Sequence, residues 1–222
     1  MQNLNGPNAY EVGNLPRLAL LLLAAGRSKR MQGQNKMLLP IHREPMVKRC
    51  AERLLSSGLG PLYVVTGHES EKVENALSSL ELQRVYNENY LVGQDNSISC
   101  GFEYLNALDT RKYDGVLLAK CDMPSLGIHQ YRLIAEAYLK AKGQKLIVPV
   151  HQGVSAYPLV VPVHLIGAVA NGELKLRKLV KYGSPPQYEA QIKYIDVSDP
   201  VFTEDIDSPE DYERATAWHS QR

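Results

Sequence analysis

Apolar positions along the chain alternate between short continuous runs and longer stretches with helical spacing. The first run, Leu18 to Ala24, contains four successive leucines, Leu20 to Leu23. A run with no polar interruption suits a strand covered on both faces. Behind it, Val47, Cys50, Ala51, Leu54 and Leu55 recur at helical spacing, with Pro45 near the first turn and Gly58 as the stop. Leu62 to Thr66 predicts a second strand, broken at Gly67-His68, and Val73, Ala76, Leu77 and Leu80 mark a second helix. Leu82 to Tyr86 predicts a third strand. After an irregular passage from Asn87 to Asp95, Asn96 is placed to cap a helix bearing Ile98, Phe102, Leu105 and Leu108. Gly115 to Ala119 predicts a fourth strand, and a helix near Ile128 to Lys142 turns Tyr131, Ala135, Tyr138 and Leu139 to one side. Leu146 to Val150 is the fifth strand.

This alternation predicts an α/β fold of Rossmann-like, three-layer α/β/α type with a mostly parallel sheet built from right-handed crossovers. Beyond Val150, Pro158, Pro162, Pro185 and Pro186 punctuate the pattern. Pro158 to Val161 and Gln191 to Val197 predict short strands flanking a helix near Leu174 to Tyr182. Asp207-Ser208-Pro209-Glu210-Asp211 predicts a helix start, with Ser208 as cap, Pro209 at the first position and acids in the first turn. Met1 to Pro16, rich in Asn and Gly without periodicity, is expected to be a loose leader. Residues 17–222 are expected to be one domain, with a nucleotide half over 17–125 and an acceptor half over 126–222.

Composition narrows the function classes. The 222 residues include 44% hydrophobic and 22% charged positions, and the formal net charge is +1. That balance gives no support to nucleic-acid or membrane-surface binding, which need an extended basic field. The three cysteines form no CxxC pair and are odd in number, so neither a disulfide framework nor a zinc site is expected. No apolar run approaches a bilayer-spanning length and the first residues are polar, so a cytoplasmic protein is expected.

The chemistry concentrates after the first strand, in LLLLAAGRSKRMQGQNKMLLP from Leu20 to Pro40. Arg27, Lys29, Arg30 and Lys36 give this loop four positive charges, and no acidic residue offsets them. Gly26 and Gly33 leave backbone amides unshielded. Leaving the end of a central strand, the loop should sit at the carboxyl edge of the sheet and take an anion, a polyphosphate being the natural guest. Arg30 and Lys36 are expected to project from its exposed surface. Met31 lies five residues after Gly26, which excludes GxxxxGK[ST], and no GxGxxG is present. By charge alone the loop also reads as an ordinary basic turn. Asp122, directly after the fourth strand in LLAKCDMP, reads either as a site carboxylate at the same edge or as a turn-forming Asp.

LAAGRSKRM, the Gly33-x-x-Lys36 spacing and Leu38-Leu39-Pro40 resemble the signature of the MobA-like NTP transferases, the molybdenum cofactor cytidylyl- and guanylyltransferases. More broadly they resemble the sugar-phosphate and isoprenoid-precursor nucleotidyltransferases. Gln32 is an extra residue in the loop relative to that pattern. The resemblance implies that Ala24, Ala25, Gly26, Arg27 and Ser28 wrap a nucleoside triphosphate while Arg30 and Lys36 bind its phosphates. It implies that Asp122 coordinates Mg²⁺ and that Asp207, in an element similar to the family's DIDTPED, is a second ligand, with Asp205 as its substitute. Asp207 reads equally as a helix-start residue. Asn87, Gly93 to Ser97 and Gly101 resemble the segment that lies against base and ribose, where Asn87 and Ser97 would contact nucleotide, and Gly67 belongs to a similar strand-end motif. LAAG, with Ala25, is the version common in relatives that use CTP or UTP, so CTP is the expected donor and molybdopterin the expected acceptor.

A molybdoenzyme or chaperone would receive the product. Around the acceptor, Ala156-Tyr157 and Lys175 depart from the family's pattern. Two other functions stay open: a cytidylyl- or uridylyltransferase for a sugar or polyol phosphate, and a catalytically silent nucleotide-binding regulator or cofactor carrier.

Overall fold

The run of leucines becomes the middle of a sheet because it has no polar side to turn outward. In the computed structural model, which describes residues 15–108 and 112–219, strand β1 spans Leu18–Leu23 with all six residues buried. A two-residue hairpin, β2 (Pro40–Ile41) and β3 (Glu44–Pro45), leads into helix α1 (Met46–Ser56), which buries Met46, Val47, Cys50, Ala51 and Leu54. Strand β4 (Leu62–Thr66), helix α2 (Ser70–Ala76), strand β5 (Gln83–Tyr86), helix α3 (Gln94–Ala107) and strand β6 (Gly115–Lys120) follow. The second half holds helix α4 (Ile128–Lys140), strands β7 (Leu146–His151), β8 (Val154–Ser155) and β9 (Leu159–Pro162), short helices α5 (Ile166–Ala170) and α6 (Leu176–Tyr182), strand β10 (Ile192–Asp196) and helix α7 (Pro209–His219). Of the expected leader, residues 1–14 lie outside the described residues.

The main sheet has eight strands in the order β10-β7-β9-β6-β1-β4-β5, with β8 paired to β7. β6, β1, β4 and β5 are mutually parallel, and β10 is parallel to β7. The mostly parallel α/β architecture is therefore the one that the alternating pattern predicts. Its simple continuation is not: β9 inserts between β6 and β7 and runs antiparallel to both, Val160 facing Leu117 on one side and Ile147 on the other. All four residues of β9 are buried. Two groups of helices cover the sheet, α1 packing with α2 and α4, and α3 packing with α5 and α6.

One local expectation is corrected. Asn96 does not cap α3, which begins two residues earlier at Gln94 after Gly93. Gly93 has φ +131°, a backbone setting that glycine tolerates and L side chains rarely adopt, and this turns the chain from the 3₁₀ turn Tyr90–Val92 into the helix. The final helix starts as expected. Ser208 Oγ accepts the Asp211 amide at 3.2 Å, and the Asp211 carboxylate accepts the amides of Ser208 at 2.9 Å and Asp207 at 3.1 Å, a reciprocal cap.

Candidate functional site

The loop after β1 is exposed over most of its length, at Gly26, Arg27, Lys29, Arg30 and Gln32 to Gln34, and turns inward at Asn35 to Met37. Ser28 adopts a left-handed backbone, φ 51°, and its Oγ accepts the Lys36 amide at 3.0 Å. The Asn35 side chain accepts the Met37 amide at 3.1 Å and starts the 3₁₀ turn Lys36–Leu38. These two bonds fold the loop back on itself and direct the Lys36 side chain beneath the strand ends. Arg30 stands outward, its side chain 69% exposed, as expected. Lys36 does not: only 6% of it is exposed, and the picture of a lysine projecting from the loop surface is wrong. Its partners lie far along the chain, and they overcome the cost of burying an ammonium group.

Those partners are two carboxylates and a backbone carbonyl. Lys36 Nζ donates to Asp122 Oδ2 at 2.8 Å, Asp207 Oδ1 at 2.7 Å and the Ile206 carbonyl at 2.9 Å. Arg30 pairs with the other oxygen of Asp207 at 2.6 Å. Lys120, at the exit of β6, sits 3.2 Å from Asp122 Oδ1 and 3.2 Å from Asp205 Oδ2. Three cations thus interleave with three carboxylates and the cluster is neutral. Burial works to discharge Lys36 and Lys120, but the adjacent Asp122 charge, with Asp207 for Lys36 and Asp205 for Lys120, raises both above the usual lysine value. Burial likewise works against an ionised Asp207, yet hydrogen bonds and charge from Lys36 and Arg30 hold its carboxyl below the ordinary range.

Neighbouring elements fix the geometry. The Ile206 amide donates to the Asp122 carbonyl at 2.8 Å, which docks the segment before α7 onto the end of β6. Arg53 of α1 donates to the carbonyls of Pro124 at 2.7 Å and Leu126 at 3.0 Å, clamping the turn that follows Asp122. Asp122 Oδ1 is buried without an aligned hydrogen-bond donor; the Lys120 ammonium is close enough to pair with its charge but lies off the bonding direction. One oxygen from each of Asp122, Asp205 and Asp207 lies within 4.8 Å of the others. An orphaned carboxylate oxygen beside two more carboxylates is the donor set that a hard divalent cation takes.

Two cavities open on this cluster at the carboxyl ends of β1 and β6. The first, about 390 Å³, is lined by Ala25, Gly26, Arg27, Ser28, Arg30, Lys36, Ser97, Asp122 and Asp207, together with Tyr90, Leu91, Val92 and Lys120. Leu91 and Val92 are 62% and 76% exposed at its rim. The second, about 880 Å³, is bounded by Gly153, Ser155, Tyr157, Arg177, Lys181 and Tyr194 and shares Arg30, Gln94, Lys120, Asp122 and Asp207 with the first. The Tyr157 hydroxyl is buried without a partner, and Lys120 lies 5.6 Å from the ring centre.

Ala24, Gly67 and Asn87, singled out from the sequence as nucleotide contacts, are not in the first cavity's wall. Ala24 is fully buried. Gly67 serves close packing: a Cβ there would lie 2.6 Å from the Tyr90 Cβ and 3.0 Å from that of Ala25. Asn87 is 2% exposed, donating to Ser97 Oγ at 3.0 Å and accepting the Asn89 amide at 3.0 Å, so both ends of its amide are used inside the protein. It braces the wall that Tyr90 to Ser97 form. Lys120 was missed, although a lysine at the exit of an otherwise apolar strand was a visible signal.

The family model described as MobA-like NTP transferase domain matches residues 20–189 of this chain. Nicotine blue oxidoreductase of Paenarthrobacter nicotinovorans is 28% identical over 213 residues, 89% of this chain and 95% of that protein. The bifunctional protein GlmU of Rhizobium etli is 33% identical over 129 residues, 57% of this chain, and the chain spans only 26% of its length. Among solved structures, Rv0371c of Mycobacterium tuberculosis in complex with manganese superposes with TM-score 0.69 at 20% identity, covering 90% of this chain and 98% of that one. CMP:2-keto-3-deoxy-manno-octonic acid synthetase complexed with CTP superposes with TM-score 0.68 at 15% identity, covering 92% of this chain and 99% of that one. At these identities the two structures establish the shared fold.

Proposed function

The chain belongs to the MobA-like NTP transferase domain family, and from that premise we propose that it moves a nucleoside monophosphate from a nucleoside triphosphate to a phosphorylated acceptor and releases pyrophosphate. The preferred donor is CTP, the preferred acceptor is molybdopterin, and the product passes to a molybdoenzyme or its chaperone. The observation that carries this reading is the charged cluster of Arg30, Lys36, Lys120, Asp122 and Asp207 at the boundary of two cavities. A group transfer needs two reactants brought together over one reacting centre.

In this reading the first cavity takes the triphosphate. Arg27, Ser28 and Arg30 close over the phosphates, Lys36 neutralises the leaving pyrophosphate, and Leu91 and Val92 offer an apolar face to the base. The second cavity takes the acceptor, whose phosphate meets Lys120, Arg177 and Lys181. An acceptor phosphate oxygen is already anionic at neutral pH, so no histidine base is needed and the protein contributes position and charge. Asp122 and Asp207, with Asp205 beside them, would hold Mg²⁺, which when bound neutralises charge on the phosphoryl oxygens. Residues 17–125 then serve as the nucleotide half and residues 126–222 as the acceptor half of one cytoplasmic domain.

A sugar or polyol phosphate acceptor would leave every donor residue in place, and it is the alternative reading for the second cavity. Pyrophosphate release with CTP, UTP or GTP, in Mg²⁺ and with molybdopterin or sugar phosphates as acceptor, tests the proposal. Release that requires CTP and molybdopterin together is the expected result. A strict requirement for GTP would refute the pyrimidine assignment, and no release with any acceptor would leave the chain a nucleotide binder.

A further inference from the structure

We infer that Lys36 stands in for the divalent cation before nucleotide binds, and gives up that place to the cation when the triphosphate draws it away. Metal and nucleotide then bind as a coupled pair. The inference rests on the donor-site reading above and concerns what makes the two ligands interdependent.

An ammonium group has three donors, and Lys36 has spent all three, on Asp122 Oδ2, Asp207 Oδ1 and the Ile206 carbonyl. It therefore has no hydrogen left for a phosphate oxygen. To reach one it must break at least one of these bonds. Two of its three partners are the carboxylates that, with Asp205, form the oxygen cluster. Their charges are already matched by Lys36 together with Arg30 and Lys120. A divalent cation placed between Asp122 and Asp207 with Lys36 still there would meet a positive charge at close range, in a setting where the lysine side chain is only 8% exposed and poorly screened. Asp122 Oδ1, in a residue 8% exposed, faces the Lys120 charge but has no aligned hydrogen-bond donor, an independent sign that its lone pairs are left for a ligand.

The triphosphate resolves the conflict. It supplies new acceptors for Lys36 on the side of the first cavity, and the departure of the lysine restores the negative charge of the two carboxylates. By linkage each ligand then strengthens the other equally.

The test is Mn²⁺ binding to the intact chain, read from the electron paramagnetic resonance signal of free Mn²⁺, with and without a non-transferable CTP analogue and corrected for Mn²⁺ held by free nucleotide. Lys36→Met keeps the length and removes the charge. The variant should bind Mn²⁺ without nucleotide about 5–150-fold more tightly than the unaltered protein, the usual range for coupled sites. In the unaltered protein the analogue should strengthen Mn²⁺ binding, and in Lys36→Met that gain should shrink. Unchanged or weaker nucleotide-free Mn²⁺ binding in Lys36→Met overturns the exchange.

If the variant unfolds in metal-free buffer, Mn²⁺ should raise its melting temperature by more than it raises that of the unaltered protein. An equal or smaller rise again overturns the exchange. Asp122→Asn separates this failure from failure of the donor-site reading. Should Mn²⁺ and the analogue bind Asp122→Asn and the unaltered protein equally, the metal site itself is misplaced and both readings fall.

Discussion

Arg30 and Lys36 carry the same charge in the same loop but differ in what their removal leaves behind. Arg30 is largely exposed and shares Asp207 with Lys36, so Arg30→Ala should change stability by less than about 1 kcal/mol, as for surface pairs generally. It should still weaken CTP binding by about 1.5–3 kcal/mol, the worth of a charge-assisted contact. Lys36→Ala removes one buried donor each from two carboxylates and a carbonyl and should cost about 1–3 kcal/mol of stability in metal-free buffer. Urea unfolding and CTP titration of the two variants check the contrast, and equal losses of stability would contradict it. The sequence displayed both charges and the carboxylates, but not their distances. Whether a lysine points inward depends on what waits for it, and here that is a strand end and a segment near the far end of the chain. Composition of the loop alone carries no trace of either.

At the scale of elements, the sequence was most legible where one local rule decided the outcome. The uninterrupted leucines of β1 and the capped start of α7 both formed as expected. Ser208→Ala should therefore destabilise the protein by about 0.5–2 kcal/mol, since it removes the acceptor of the Asp211 amide. It should also loosen Asp207, whose amide is held by the same Asp211 carboxylate. Thermal unfolding of the variant measures this, and an unchanged midpoint would show that the cap is not what holds the segment. Less legible were β9 and the start of α3. A four-residue buried run bounded by prolines does not announce its direction, and β9 is antiparallel because the short link from His151 to Leu159 cannot make the crossover that a parallel neighbour of β7 requires. For α3, the cap-like Asn96 was outweighed by the backbone freedom of Gly93.

Across the whole molecule, one sheet brings the products of distant segments to a common edge. The phosphate loop leaves β1, Lys120 and Asp122 end β6, and Asp205 and Asp207 arrive from beyond the residues 20–189 that the family model matches. The resulting cluster borders a smaller cavity on the loop side and a larger one on the side of β7, β8 and α6. Order of elements made the fold class and the position of the loop readable. The shared boundary between cavities was not readable, because it depends on the docking of Ile206 against Asp122. Equilibrium binding of labelled CTP in Mg²⁺, compared between the intact protein and Asp122→Asn, tests most directly that this boundary is a donor site. The account predicts one CTP per chain and more than about tenfold weaker binding in the folded variant, the equivalent of about 1.4 kcal/mol. Equal CTP affinity in the two proteins would contradict it.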